Sequence, residues 1–127
     1  MFDRTSIDVR TSDGRNFVLL TPFSFTSAKD GQIYTVPAGA TSDGASTPPE
    51  LWPTIPPFGK YWLAAFLHDW AYRMSDLPKA RCDELLREAM EALQVDRAEA
   101  DAIYEGVHLF GQSSFDQDRE AQLSTEN

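Results

Sequence analysis

From Tyr61 to Met74 apolar side chains fall on nearly every side of a helical wheel, the pattern of a helix buried all round. Ahead of it the period is shorter. Ile7 and Val9 alternate with polar neighbours, Phe17 to Leu20 is a brief apolar run, and Gln32 to Val36 is β-prone, so strands are predicted in each. Ser12-Asp13-Gly14 and Lys29-Asp30-Gly31 separate them. Asp-Gly ahead of a strand signals a hairpin turn, because glycine accepts positive φ without steric cost. A small antiparallel meander is the expected arrangement.

Residues 37 to 59 hold all but two of the eight prolines, which excludes regular structure over most of that stretch and predicts a long Pro/Gly-rich loop. Leu51, Trp52, Ile55 and Phe58 give it apolar anchors for an ordered course over the helices. Beyond the central helix, Leu85, Leu86, Ala89, Met90 and Leu93 form one stripe of an amphipathic helix running from about Pro78 to Leu93. A third helix is expected from Asp96. Asp96 with Glu99 reads as a capping box, Ile103, Val107 and Phe110 as the buried stripe, and Gly111 as the stop. Gln112 to Asn127 is polar and acidic, so residues 112–127 are expected to form a tail that is disordered or docks on a partner.

The chain of 127 residues, 42% hydrophobic, fits one globular domain, expected over residues 1–111, of α+β class: an N-terminal meander, the loop and a three-helix unit. The net charge of −9 argues against nucleic-acid binding through a basic surface. Residues 83–105 alone carry eight acids and two bases, and four acids and one base follow, so the expected partners are other proteins that meet an acidic face. The longest apolar stretch, Tyr61 to Leu67, is far short of the roughly 20 residues of a membrane span, and Met1 to Arg10 lacks the apolar core of a secretory signal. Cytoplasmic synthesis without a transmembrane segment is expected. A single cysteine, Cys82, is read as a buried, inert thiol.

His68-Asp69 interrupts the most apolar helix, and a buried carboxylate needs hydrogen bonds, a counter-charge or a metal. Asp83 lies at the edge of the next helix's stripe. A short connection would make the two helices antiparallel neighbours and bring Asp83 close to His68. Two readings follow: a carboxylate that fixes the tautomer of a general base, or a polar clasp between helices. Solvent access separates them, since an open pocket would let water solvate the survivor of a substitution, whereas a sealed clasp would lose stability. A second cluster, Thr41 to Pro49, has Asp43 as a metal-ligand candidate or as an ordinary Asx turn, with Ser46 as a supporting hydroxyl or a cap. His108, beside Asp101, Tyr104 and Glu105 on its helix, is expected to be solvated.

Thr35-Val36-Pro37-Ala38-Gly39, Ser42-Asp43-Gly44-Ala45-Ser46-Thr47-Pro48, Trp52-Pro53, His68-Asp69-Trp70-Ala71-Tyr72-Arg73, Cys82-Asp83, Glu88-Ala89-Met90 and Leu109-Phe110-Gly111 occur in that order. Over roughly residues 15 to 111 this series resembles the domain of unknown function 1353 family, which implies a bacteriophage or prophage source but no reaction. His-Asp-x-x-Tyr followed by an Asp on the next helix is also similar to the helix pair of secretory phospholipase A2 and of the related parvovirus capsid domain. That similarity implies His68 as the water-activating base, Asp83 as its orienting partner, Asp69 as a ligand for Ca2+ or another divalent metal, and Tyr72 as a supporting donor. The disulfides and glycine-rich calcium loop of the secretory enzymes are lacking, and the segment around Asp43 would replace that loop by folding onto the helix. The expected function is a phage-encoded accessory protein with a hydrolytic or metal-binding centre. The alternative is a non-enzymatic virion or tail component, in which His68, Asp69 and Asp83 form the clasp.

Overall fold

The computed structural model describes residues 1–14, 16–43 and 61–126. Its elements are β1 (Val9–Arg10), β2 (Phe17–Leu19), β3 (Phe23–Thr26), β4 (Ile33–Val36), β5 (Thr41–Ser42), α1 (Trp62–Met74), α2 (Lys79–Ala92), α3 (Arg97–Phe110) and α4 (Gln112–Glu126). This is an α+β protein. The strands form two antiparallel sheets, one ordered β1-β2-β5 and the other the hairpin β3-β4, rather than a single meander.

Both predicted Asp-Gly turns occur where expected. Gly14 lies between β1 and β2 with φ +74°, and Gly31 between β3 and β4 with φ +70°, conformations a Cβ would strain. At the first turn Asp13 Oδ1 accepts from the Asn16 amide at 2.8 Å, and at the second Asp30 Oδ1 accepts from the Gln32 amide at 2.9 Å. β3 was not expected, although Phe23-Ser-Phe25-Thr alternates with period two. Phe23 and Phe25 are each 1% exposed and pack beneath the hairpin. The hairpin is tied to α2 by Glu88, whose carboxylate accepts from the Ser27 hydroxyl at 2.8 and 2.9 Å and from the Ala28 amide at 2.7 Å.

α1 is the centre of the fold, packed against α2, α4, β4 and β5. Tyr61, Ala64, Phe66, Leu67 and Ala71 have no exposure, as the all-round apolar pattern requires. Burying a side chain such as Phe66 contributes about 1.5–3 kcal/mol, so Phe66→Ala would remove a large share of a small domain's net stability. α2 buries Leu85, Leu86, Ala89 and Met90, and α3 buries Ile103 and Val107, on the predicted stripes.

Three details differ from expectation. Asp96 is the N-cap of α3, but its side chain makes no capping hydrogen bond, so the capping box is not formed. Gly111 ends α3 with φ −84° rather than in a left-handed turn, and its role is spatial: a Cβ there would overlap the Val107 carbonyl and lie 3.1 Å from the Tyr72 hydroxyl. Residues 112–126 are not a loose tail but a fourth helix lying on α1. Arg119 explains why a weakly amphipathic segment docks. Its guanidinium donates to the Tyr72 carbonyl at 2.8 Å, to the Ala71 carbonyl at 3.2 Å and to the Leu77 carbonyl, and lies over the Phe115 ring at 4.5 Å. Carbonyls at the end of α1 and in the turn after it thereby gain a charged donor. Within the expected loop, Thr41 and Ser42 form β5, while Leu51, Trp52, Ile55, Phe58 and Ser46 lie outside the described residues.

Candidate active site

Only Ser75 to Pro78 separate α1 from α2, so the two helices turn back on one another and pack. Each presents a pair of side chains one turn apart: His68 and Tyr72 from α1, Lys79 and Asp83 from α2. The pairs interlock. His68 Nε2 lies 2.8 Å from Asp83 Oδ1, the Tyr72 hydroxyl donates to that oxygen at 2.6 Å, and Lys79 Nζ donates to Asp83 Oδ2 at 2.7 Å. The His68 and Tyr72 rings are 4.2 Å apart.

Asp83 is 0% exposed, Tyr72 3% and His68 5%. Burial alone would raise the Asp83 carboxyl, but the hydrogen bonds from His68, Lys79 and Tyr72 outweigh it and hold the group below the usual carboxylate range. An ionised carboxylate only accepts, so Nε2 carries a proton and Nδ1 is the ring nitrogen left to act as a base. Among the described residues Nδ1 has no hydrogen-bond partner. The Tyr72 phenol is pushed up by burial and by its bond to Asp83, so it remains a donor. Cys82, alongside, is pushed up to about 11 by burial and stays a thiol.

Asp69 looks into the adjacent sector of α1, as the 100° step between residues requires. β5 folds against it: the Ser42 hydroxyl, in a residue 1% exposed, donates to Asp69 Oδ2 at 2.5 Å. One turn on, Arg73 donates to the Thr41 carbonyl and hydroxyl, both at 2.8 Å. Thr41 and Ser42, directly ahead of Asp43, are thus held on the histidine helix. Burial pushes the Asp69 carboxyl up to about 6; the neighbouring charge of Asp43 adds to the rise, while His68, Ser42 and Arg73 oppose it. Asp43 itself is exposed. Among the described residues no group of three or more His, Cys, Asp and Glu side chains is placed to hold a metal.

The sequence-derived set is therefore brought together at His68, Asp83 and Tyr72, with Asp69 and Asp43 adjoining. Lys79 and Ser42 were not anticipated. Lys79 had a signal, being four residues ahead of Asp83 on one helix face, whereas Ser42 had none, since its reach depends on β5 docking on α1. His108 is exposed and stacks on Tyr104 at 5.9 Å, as expected of a solvated residue.

A family model described as "Protein of unknown function (DUF1353)" matches residues 17–107. The chain belongs to the DUF1353 family. The match spans β2 to near the end of α3, so this DUF1353 region contains Ser42, Asp43, His68, Asp69, Tyr72, Lys79 and Asp83. Gly111 and all of α4 lie beyond it. Comparison with curated proteins and with solved structures gave no match.

Proposed function

We propose that this DUF1353 protein is a hydrolase in which His68 is the general base, acting as a phage or prophage accessory protein. The observation that carries the reading is the sealed Asp83 carboxylate on Nε2, which leaves Nδ1 as the basic nitrogen. In the proposed step Nδ1 removes a proton from water as the water oxygen attacks an ester or phosphoester centre, and the imidazolium then gives that proton to the leaving alcohol oxygen as its C–O or P–O bond breaks. Asp83 stabilises the imidazolium that forms and holds the ring, and Tyr72 holds Asp83. A buried orienting carboxylate behind a less buried imidazole is the polarity such a pair needs. The resemblance of the His-Asp-x-x-Tyr pattern and the following Asp to phospholipase A2 supports the same roles. Asp69, with Asp43 beside it, is the proposed place for Ca2+ or another divalent cation, whose chemistry would be to polarise the oxygen that gains charge.

The test is turnover of a panel of carboxylic esters, phospholipids and phosphodiesters, with and without Ca2+, by the full chain and by His68→Gln and Asp83→Asn. A substrate whose turnover falls by about 10³-fold or more in both variants supports the base. An inert wild type, or activity indifferent to His68, sinks it.

Two observations favour a second reading, a non-enzymatic virion or assembly component. His68 is only 5% exposed, the sealed condition expected of a clasp rather than of an open pocket. Both oxygens of Asp83 are satisfied, so the cluster is complete as a polar clasp without any substrate. Abundance of the protein in purified particles of its source, detected by mass spectrometry, together with an inert panel, selects that reading. In either case we propose partners that are basic protein surfaces rather than nucleic acid, because Glu91, Asp96, Glu105, Asp116 and Glu120 are all exposed. No described helix is long and apolar enough to cross a membrane.

A further inference from the structure

α4 lies outside the residues that the family model matches, and it is held unlike the other helices. Where α1, α2 and α3 bury apolar stripes, none of the described side chains of α4 is fully buried. Phe115 is its aromatic anchor, set edge-on to the Tyr72 ring at 5.2 Å. The remaining ties are polar: Arg119 on the carbonyls of Ala71, Tyr72 and Leu77, and a partly exposed ion pair of Asp118 with Arg73 at 3.5 Å. A helix held by one ring and a few polar bonds opens at a lower free energy than a helix whose departure uncovers the core.

What α4 covers bears on the site. Beneath it lies a small cluster of Ala71, Tyr72 and Cys82, apart from the main core, against which Phe115 packs. Arg119 Nη2 lies 3.9 Å from Cys82 Sγ, and Cys82 has no exposure. The Tyr72 ring leans in turn on the His68 ring at 4.2 Å. The α3–α4 junction is equally close, since a Cβ at Gly111 would lie 3.1 Å from the Tyr72 hydroxyl. With 5% of its surface exposed, His68 has no room to meet a water and a substrate together. Some neighbouring element must withdraw before a base there can act.

We propose that α4 is a lid that regulates access to His68, leaving α1 as a unit while α1, α2 and α3 stay packed. The consequence for activity rests on the hydrolytic reading; the opening itself does not. Withdrawal of α2 or α3 would expose Leu85, Leu86, Ile103 or Val107, whereas withdrawal of α4 exposes mainly Tyr72, Ala71 and Cys82. Gly111 alone joins α3 to α4, so it is the hinge.

The chain carries its own probes, one cysteine under the lid and two histidines, of which His108 is exposed. The experiment follows the full chain at pH 7.5, labelling Cys82 with a thiol reagent and modifying histidine with diethylpyrocarbonate, with His108 as the internal reference. In wild type, Cys82 labelling is expected to be nearly independent of urea below the unfolding transition, the mark of a local opening that exposes little surface. Arg119→Ala should accelerate both Cys82 labelling and His68 modification by about tenfold or more, with His108 unchanged. Arg119→Lys, which keeps the cation but loses the fork, takes its place should that variant fail to fold, with a smaller acceleration in the same direction. On any ester or phosphodiester that wild type turns over, the loosened variant should be faster.

Labelling that rises with urea in step with global unfolding overturns the proposal, as does a folded variant in which Cys82 is freed but His68 is modified at the wild-type rate. Turnover that falls as both probes accelerate overturns it too, since α4 would then belong to the working site. Accelerated probes with no substrate turned over defeat the hydrolytic reading and leave the lid standing.

Discussion

His68 and Asp83 meet at 2.8 Å across the α1–α2 interface, on a carboxylate that solvent does not reach. Because water cannot replace a lost partner there, loss of stability no longer separates a base from a clasp. Asp83→Asn is expected to cost on the order of 3 kcal/mol whichever role the pair plays, read as the change in urea-unfolding free energy near neutral pH. The sign with pH follows from the depressed Asp83 carboxyl. Its stabilisation is complete above the unfolded value near 3.9 and is lost as pH falls through the lower folded value. The gap between wild type and Asp83→Asn should therefore hold from pH 5 to 8 and narrow below about pH 4. A gap that widens in acid would contradict the assignment.

Asp69 behaves in the opposite sense, since its carboxyl is raised to about 6, chiefly by burial. Ionising it costs the folded state, and that cost appears as pH rises from about 4 to about 6. Asp69→Asn keeps an acceptor for the Ser42 hydroxyl and removes the charge. The variant should match wild type near pH 4 and exceed it by pH 8, by roughly 2–3 kcal/mol. Millimolar Ca2+ should close that gap by pairing with the wild-type carboxylate. Thermal unfolding at pH 4, 6 and 8, with and without Ca2+, checks both statements, and a variant equally stable at every pH defeats the first.

Gly111 is required by space. In Gly111→Ala the new methyl must displace the end of α3 or the Tyr72 hydroxyl, costing about 1–3 kcal/mol. The same displacement should disturb the Tyr72 bond to Asp83, visible as a changed carboxyl shift of Asp83 in carbon-13 NMR. A variant as stable as the parent, with that resonance unmoved, would show that the helix end has room.

Arg119 is expected to decide whether α4 stays on α1. Arg119→Ala removes the charged donor from the Ala71, Tyr72 and Leu77 carbonyls and the cation over Phe115, worth roughly 1.5–3 kcal/mol. The loss should be local. Amide exchange over residues 112–126 should accelerate while α2 and α3 keep their protection, and uniform exchange would count against a separately held helix.

How much of this was legible beforehand differs by element. The Asp-Gly turns, the all-round apolar α1 and the stripes of α2 and α3 were readable, because turn conformations and helical faces are set by residues within a few positions of one another. The helical tendency of Gln112 to Glu126 was hidden by its weak amphipathicity, since the group that anchors it, Arg119, binds carbonyls of α1 and of the turn after it. His68, Tyr72 and Asp83 could be singled out as polar groups on apolar helices, and their spacing already required a partner. Which partner depended on the rotation and register of α2 against α1, and those are settled by packing Leu85, Leu86 and Ala89 into the core rather than by any local signal. Lys79 is the plainest case: its sequence position, at a helix start, is unfavourable in isolation. Only the approach of the end of α3 to Asp83 supplies the negative groups that make a buried cation stable there.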